Sequence, residues 1–256
     1  DVLFRDTYTT VNPVDADYAP DIWRGCVEAR AYPFDTTDDS QFDPALGGGK
    51  WERYLWPDHD TRNDWDDLDG SQSNHAFYGP NRRCPVELLP LTNVKDDVVD
   101  KIDEMFANGV THINLGAVWG WRVLSPGEPY TNGAAYDDPQ YKKAIVIMTD
   151  GENFISSSTG NYSAYGFLSG GKLSTTDRSD AEDELDDRLA EICTKIKATG
   201  TLVYTITFQV DSRSVRRLMR RCATDRDKYF DSPSGDELES AFRAIGAELS
   251  NLRIGR

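Results

Sequence analysis

Hydrophobic residues in this chain change their spacing near Cys84. Downstream, short apolar runs alternate with stripes of helical period, the pattern of strands and amphipathic helices. Residues 86–91 read as a short buried strand. Val98, Val99, Ile102, Met105 and Phe106 mark one face of a helix opened by Thr92 or Asn93 and stopped by Gly109. Residues 144–148 (AIVIM) form a continuous apolar run, as in a parallel strand covered on both faces. Leu185, Leu189, Ile192, Cys193 and Ile196 then make a helical stripe closed by Gly200. Residues 202–208 (LVYTITF) are a second buried strand, rich in β-branched and aromatic side chains. Val215, Leu218, Met219 and Cys222 predict a further helix, and residues 228–230 an edge strand. A last helix turns Leu238, Phe242, Ile245, Leu249 and Leu252 inward. Strands alternating with helices predict an α/β fold, a doubly wound, mostly parallel sheet with right-handed crossovers.

Upstream of Cys84 that order is missing. Residues 2–4 and 8–11 could be short strands, but from Pro33 to Pro80 the pattern is loop, with Gly47, Gly48 and Gly49 in a row and an acidic run from Asp58 to Asp69. A loop that long is usually an insertion or functional. The expected organisation is therefore a first part, residues 1–83, of strand remnant and irregular acidic insertion, and a regular α/β part, residues 84–256. The acidic run does not fit a calcium-binding helix–loop–helix. Gly70 at the sixth loop position would put Trp65 at the first. A solvated acidic loop describes it better.

Charge narrows the function classes. The 256 residues carry a formal net charge of -16, a field that repels phosphate backbones and anionic headgroups, so nucleic acid and membrane-surface partners are disfavoured. Divalent cations suit it, although an acidic surface also serves simple solubility. No stretch is long and apolar enough to span a bilayer. The first residue is Asp1 rather than Met, as expected of a fragment or processed product, with any membrane anchor outside this chain. Against the acidic background, Arg213, Arg216, Arg217, Arg220 and Arg221 crowd one predicted helix. They suit an acidic partner, or pairing with nearby Asp and Glu.

Four cysteines allow three disulfide connectivities. Cys26 and Cys84 flank the irregular region, whereas Cys193 and Cys222 lie in the helical half, which favours Cys26–Cys84 and Cys193–Cys222. The alternative is four reduced core thiols in a cytosolic protein. A loop-rich segment gains most from cross-links in an oxidising compartment. His59, His75 and His112 are scattered, and no Cys/His cluster suggests zinc.

Ligands of an open α/β sheet bind at the carboxyl ends of its strands. Thr149-Asp150-Gly151-Glu152-Asn153 stands there, directly after the apolar run. The strand would hold Asp150 rigidly, and its carboxylate oxygen suits a hard cation. An isolated Asp-Gly after a strand is more often only a turn. Thr111, in a loop before a helix, could cap that helix or ligate the same cation. Trp119 and Trp121, either side of Gly120, are candidates for a partner surface or for packing over the sheet's end.

Thr111 and the Asp150 turn together resemble the von Willebrand factor A (VWA) fold and its metal-ion-dependent adhesion site. There a DxSxS motif after the first strand, a Thr in a later loop and an Asp after the fourth strand hold Mg²⁺. A closer likeness is to TadG-type proteins of the tight-adherence (Tad/Flp) pilus apparatus. It is carried by residues 23–30 (WRGCVEAR), Gly79-Pro80-Asn81, Cys84-Pro85, Pro90-Leu91-Thr92, residues 119–126 (WGWRVLSP), residues 148–153 (MTDGEN) and the ending from Cys193 through Leu252. The resemblance implies the C-terminal part of a VWA domain, with Thr111 and Asp150 as ligands of Mg²⁺ or another divalent cation. It implies protein partners in the bacterial envelope or pilus, at the periplasm or cell surface. Asp69-Gly70-Ser71-Gln72-Ser73 matches DxSxS by letter, but it follows a polar loop rather than an apolar strand. The first strand and its helix are thus expected to lie outside this chain, and that missing N-terminal segment is itself an expected partner.

No GxSxG elbow, HExxH helix or P-loop occurs. The expectation is a binding module, not an enzyme, in which a metal bridges Asp150, Thr111 and a partner's carboxylate. A second reading is a purely structural interaction subunit with a degenerate metal site. A third is an enzyme subunit that recruits a motor through a VWA domain, as in chelatases.

Overall fold

The computed structural model describes residues 25–38, 49–57, 81–158 and 161–254. These residues form two compact units, one from residues 25–35, 49–57, 81–110, 155–158 and 161–181, the other from residues 36–38, 111–154 and 182–254. The expected strands at residues 2–4 and 8–11, and the segments at 58–69 and 69–73, lie outside the described residues.

The second unit is built on a parallel sheet. Strands β1 (Ala144–Thr149), β2 (Leu202–Phe208) and β3 (Tyr229–Ser232) lie in the order β1-β2-β3. Ala144 is in register with Leu202, and Thr205 with Tyr229. Five α-helices occur among the described residues: α1 (Lys95–Asp103), α2 (Ile113–Leu124), α3 (Arg178–Ala198), α4 (Arg213–Cys222) and α5 (Gly235–Ile254). Each parallel pair of strands is joined through a helix, α3 between β1 and β2 and α4 between β2 and β3, as parallel pairing requires.

Helices cover both faces of this sheet. On one, Ile145, Ile147 and Val203 pack against Ile113, Ala117, Val118 and Trp121 of α2, Leu189, Ile192 and Ile196 of α3, and Val215 and Met219 of α4. On the other, Tyr204 and Ile206 meet Ala241 and Ile245 of α5. The predicted stripe of α3 is fully interior, Leu185, Leu189, Ile192 and Ile196 being 0% exposed. Helix α2 comes close to β1 because Gly120 has no side chain. A Cβ there would stand 3.0 Å from Ile145 Cδ1.

The first unit is irregular and cross-linked. Cys26 is bonded to Cys84, and Val27 forms an isolated antiparallel bridge with Arg53. Trp51, Tyr54, Leu55 and Trp56 are buried. The Arg30 guanidinium, 2% exposed, stacks 4.3 Å from the Trp51 ring, and Lys172 pairs with Glu28 at 2.8 Å. Here aromatic rings and enclosed cations replace the aliphatic layers of a regular core. The other disulfide, Cys193–Cys222, joins α3 to α4, so both favoured pairings are present.

Several expected elements differ. Residues 86–91 form no strand, and Leu88 and Leu91 are exposed. Pro85 precedes the segment and Pro90 stands within it, so two amide donors are missing, and no neighbouring strand among the described residues offers a ladder. Helix α1 begins at Lys95 and ends at Asp103, short of Met105 and Phe106, and buries none of its residues. Strand β1 is not covered on both faces, for Val146 and Met148 are 38% and 42% exposed. Phe242 of α5 points outward, its place inside being taken by the smaller Ala241.

Candidate functional site

Strand β1 delivers the candidate site. Its Ile145, Ile147 and Thr149 point into the helix-covered face, which fixes the backbone up to the last residue. The chain then turns. The Thr149 hydroxyl accepts from the Gly151 amide at 3.2 Å and donates to the Gly151 carbonyl at 3.0 Å, closing a tight turn with the Asp150 side chain outside it. Asp150 is exposed and Thr149 buried, so the hydroxyl is structural and the carboxylate accessible.

Two hydrogen bonds tie this turn to the start of α2. Asn153 Oδ1 accepts from the Ile113 amide at 2.7 Å, and the Phe154 amide donates to the Thr111 carbonyl at 2.9 Å. Asn153 caps α2 from a distant part of the chain, since the residue in the cap position, His112, makes no side-chain cap. Its other end donates to Asp186 Oδ1 of α3 at 2.7 Å. Burial of Asp186 raises its carboxyl above the usual range, with the Asn153 hydrogen bond working against that shift. His112 Nε2 is shut off from solvent, and desolvation lowers the imidazole to about 4, so the ring is neutral at pH 7.

Thr111 and Asp150 line the same cavity, about 400 Å³, along β1 and the first turns of α2. Ile113, Gly116, Ala117 and Gly120 form its helical wall. The sheet's end thus places Thr111 and Asp150 on one accessible hollow lined largely by apolar residues. Both donors are oxygens, which fits a hard cation. Among the described residues no group of three or more His, Cys, Asp or Glu converges as a metal centre.

The two tryptophans separate. Trp121 is 3% exposed within the sheet's core, so packing describes it and a partner surface does not. Trp119 is half-buried against the same cluster, edge-on to Tyr130 at 6.5 Å and stacked by the Arg122 guanidinium at 4.6 Å. In the sequence Asn153 stands out only as the end of the Thr149–Asn153 motif. The one available signal was an amide three residues after the strand-end Asp, and a remote cap cannot be read from spacing.

The chain matches no protein-family model, and no curated protein matches it. Among solved structures it is similar to the pilus adhesin SpaC from Lactobacillus rhamnosus GG, at 16% identity and a TM-score of 0.39. That likeness covers 60% of this chain and 20% of the adhesin chain. The two disulfides fit a compartment outside the reducing cytoplasm. Among the described residues no helix is long and apolar enough to cross a membrane.

Proposed function

We propose that this chain is the C-terminal part of a VWA domain resembling TadG-type pilus proteins, and that it binds a protein partner of the bacterial envelope rather than catalysing a reaction. The observation that carries the reading is the shared cavity of Thr111 and Asp150 at the carboxyl end of a parallel strand. A bound Mg²⁺ would add a strong positive centre to an acidic surface and attract a carboxylate of the partner. Asp150 would supply charge and Thr111 a neutral oxygen. Asn153 would hold the two segments together without touching the ion. Two side-chain oxygens leave most of a six-coordinate shell to water or to the partner.

The test is a Mn²⁺ or Mg²⁺ titration of the wild type, Asp150→Ala and Thr111→Val by calorimetry. Saturable binding by the wild type should weaken at least about tenfold in Asp150→Ala, the loss of one charged ligand. Indistinguishable titrations would remove Asp150 from the site and leave the purely structural reading of the domain.

A further inference from the structure

Helix α4 carries a second surface. Five of its ten residues are arginine, on a chain with net charge -16. Val215, Met219 and Cys222 face the core, which turns Arg213, Arg216, Arg217, Arg220 and Arg221 outward. The pairs 213–217, 216–220 and 217–221 are like charges one turn apart, each unfavourable by roughly 0.2–0.5 kcal/mol. Arg213 and Arg216 also stand in the first turn, where the helix dipole disfavours cations.

The fold offsets little of this. Arg216 meets Asp231 at 3.3 Å and donates to the Asp211 carbonyl at 2.9 Å, while Arg220 lies 5.0 Å over the Tyr229 ring. Arg213, Arg217 and Arg221 are exposed, and no carboxylate among the described residues pairs with them. Arg213, Arg216, Arg217, Arg220 and Asp231 line a groove of about 320 Å³. Asp231 already seats one carboxylate there against a guanidinium.

We infer that this groove docks a short, extended acidic segment of a protein partner through its carboxylates. Guanidinium forks match planar carboxylates in paired hydrogen bonds. One step from Arg213 to Arg217 rises about 6 Å along the helix, close to the spacing of alternate residues in an extended strand, about 6.6 Å. Acidic residues at alternate positions of the segment would meet successive arginines. A long polyanion such as DNA, or an anionic bilayer, would lay its charge against the acidic remainder of the chain, whereas a short segment engages only the groove. This surface is distinct from the Asp150 cavity and does not depend on a metal.

The probe is a fluorescein-labelled Glu-Thr-Glu-Thr-Glu-Thr peptide, followed by anisotropy in EDTA at low and physiological salt. The wild type and Asp150→Ala should bind it alike, saturably and more weakly as salt rises. Combined Arg213→Gln and Arg217→Gln substitution should weaken binding at least about tenfold, with the Lys counterparts between. The Gln variant should melt no lower than wild type, because like-charge repulsion is relieved, and Arg217→Gln alone serves if the double variant does not fold. Equal affinity of the Gln variant, or no saturable binding by the wild type, would overturn the inference. So would single-stranded DNA or phosphatidylglycerol vesicles binding through these arginines without competition from the peptide.

Discussion

His112 sits between Thr111 and the first residue of α2, and its position shapes how the protein responds to acid. Enclosure lowers the folded imidazole to about 4 from an ordinary 6.5. The folded state therefore resists a proton that the unfolded chain accepts. Stability from this group is fully present above pH 6.5 and declines as pH falls toward 4, by at most about 1.4 kcal/mol per pH unit. Chemical denaturation of metal-free protein across that window should show the slope, and His112→Gln should flatten it. An unchanged slope in the variant would assign the acid sensitivity to other groups.

Element by element, the sheet's end depends on one amide side chain. Asn153 belongs to the loop after β1, accepts from the first amide of α2 and donates to Asp186 of α3. It joins three elements at the point where Thr111 and Asp150 share their cavity. Asn153→Ala leaves a helix N-terminus without its cap and should cost about 1–2 kcal/mol. It should also weaken any divalent-cation binding without removing a ligand. Asn153→Asp keeps the capping oxygen but sets a carboxylate against Asp186, so it should recover stability only as pH is lowered. Thermal unfolding of the two variants at two pH values separates these outcomes, and equal loss at both would refute the Asp186 contact. The surrounding helices behave as their sequences suggest only where they meet the sheet. The α3 stripe is interior, whereas the apolar positions of α1, equally regular in sequence, remain exposed, Ile102 at 56%.

Across the molecule, cross-links stabilise units whose cores differ in kind. Cys26–Cys84 closes 58 residues in the irregular unit, and Cys193–Cys222 closes 29 in the sheet unit. Chain-entropy arguments give about 4 kcal/mol for the first and about 3.5 kcal/mol for the second. Cys193 and Cys222 are each 1% exposed beside Ile192 and Met219, so that pair should resist reductant until the unit opens. Replacing both with Ser should lower stability by about the amount stated and add buried hydroxyls. Urea unfolding would measure it, and a change below about 1 kcal/mol would show that packing alone holds α3 to α4. The same scale separates two charged surfaces, an oxygen-donor cavity on β1 and α2 and an arginine groove on α4. An acidic chain can present both because each is local within a screening length of about 8 Å.

Local rules in the sequence were enough for β1, β2, α3 and α4, where apolar period and residue type agree, and for the pairing of cysteines that flank the same segments. They also placed Asp150 at a strand's end and Thr111 before a helix. Tertiary structure decided the rest. A run such as residues 86–91 becomes a strand only if a neighbour supplies a hydrogen-bonding edge, and among the described residues none does. Whether Val146, Met148 or the α1 face is buried depends on what packs beside them, which no period along the chain records. The capping of α2 by Asn153, forty residues from Ile113, and the lack of counter-charges among the described residues for Arg213, Arg217 and Arg221 are likewise matters of spatial neighbours. Residue spacing determines which side chains share a face; only the packed chain determines what that face meets.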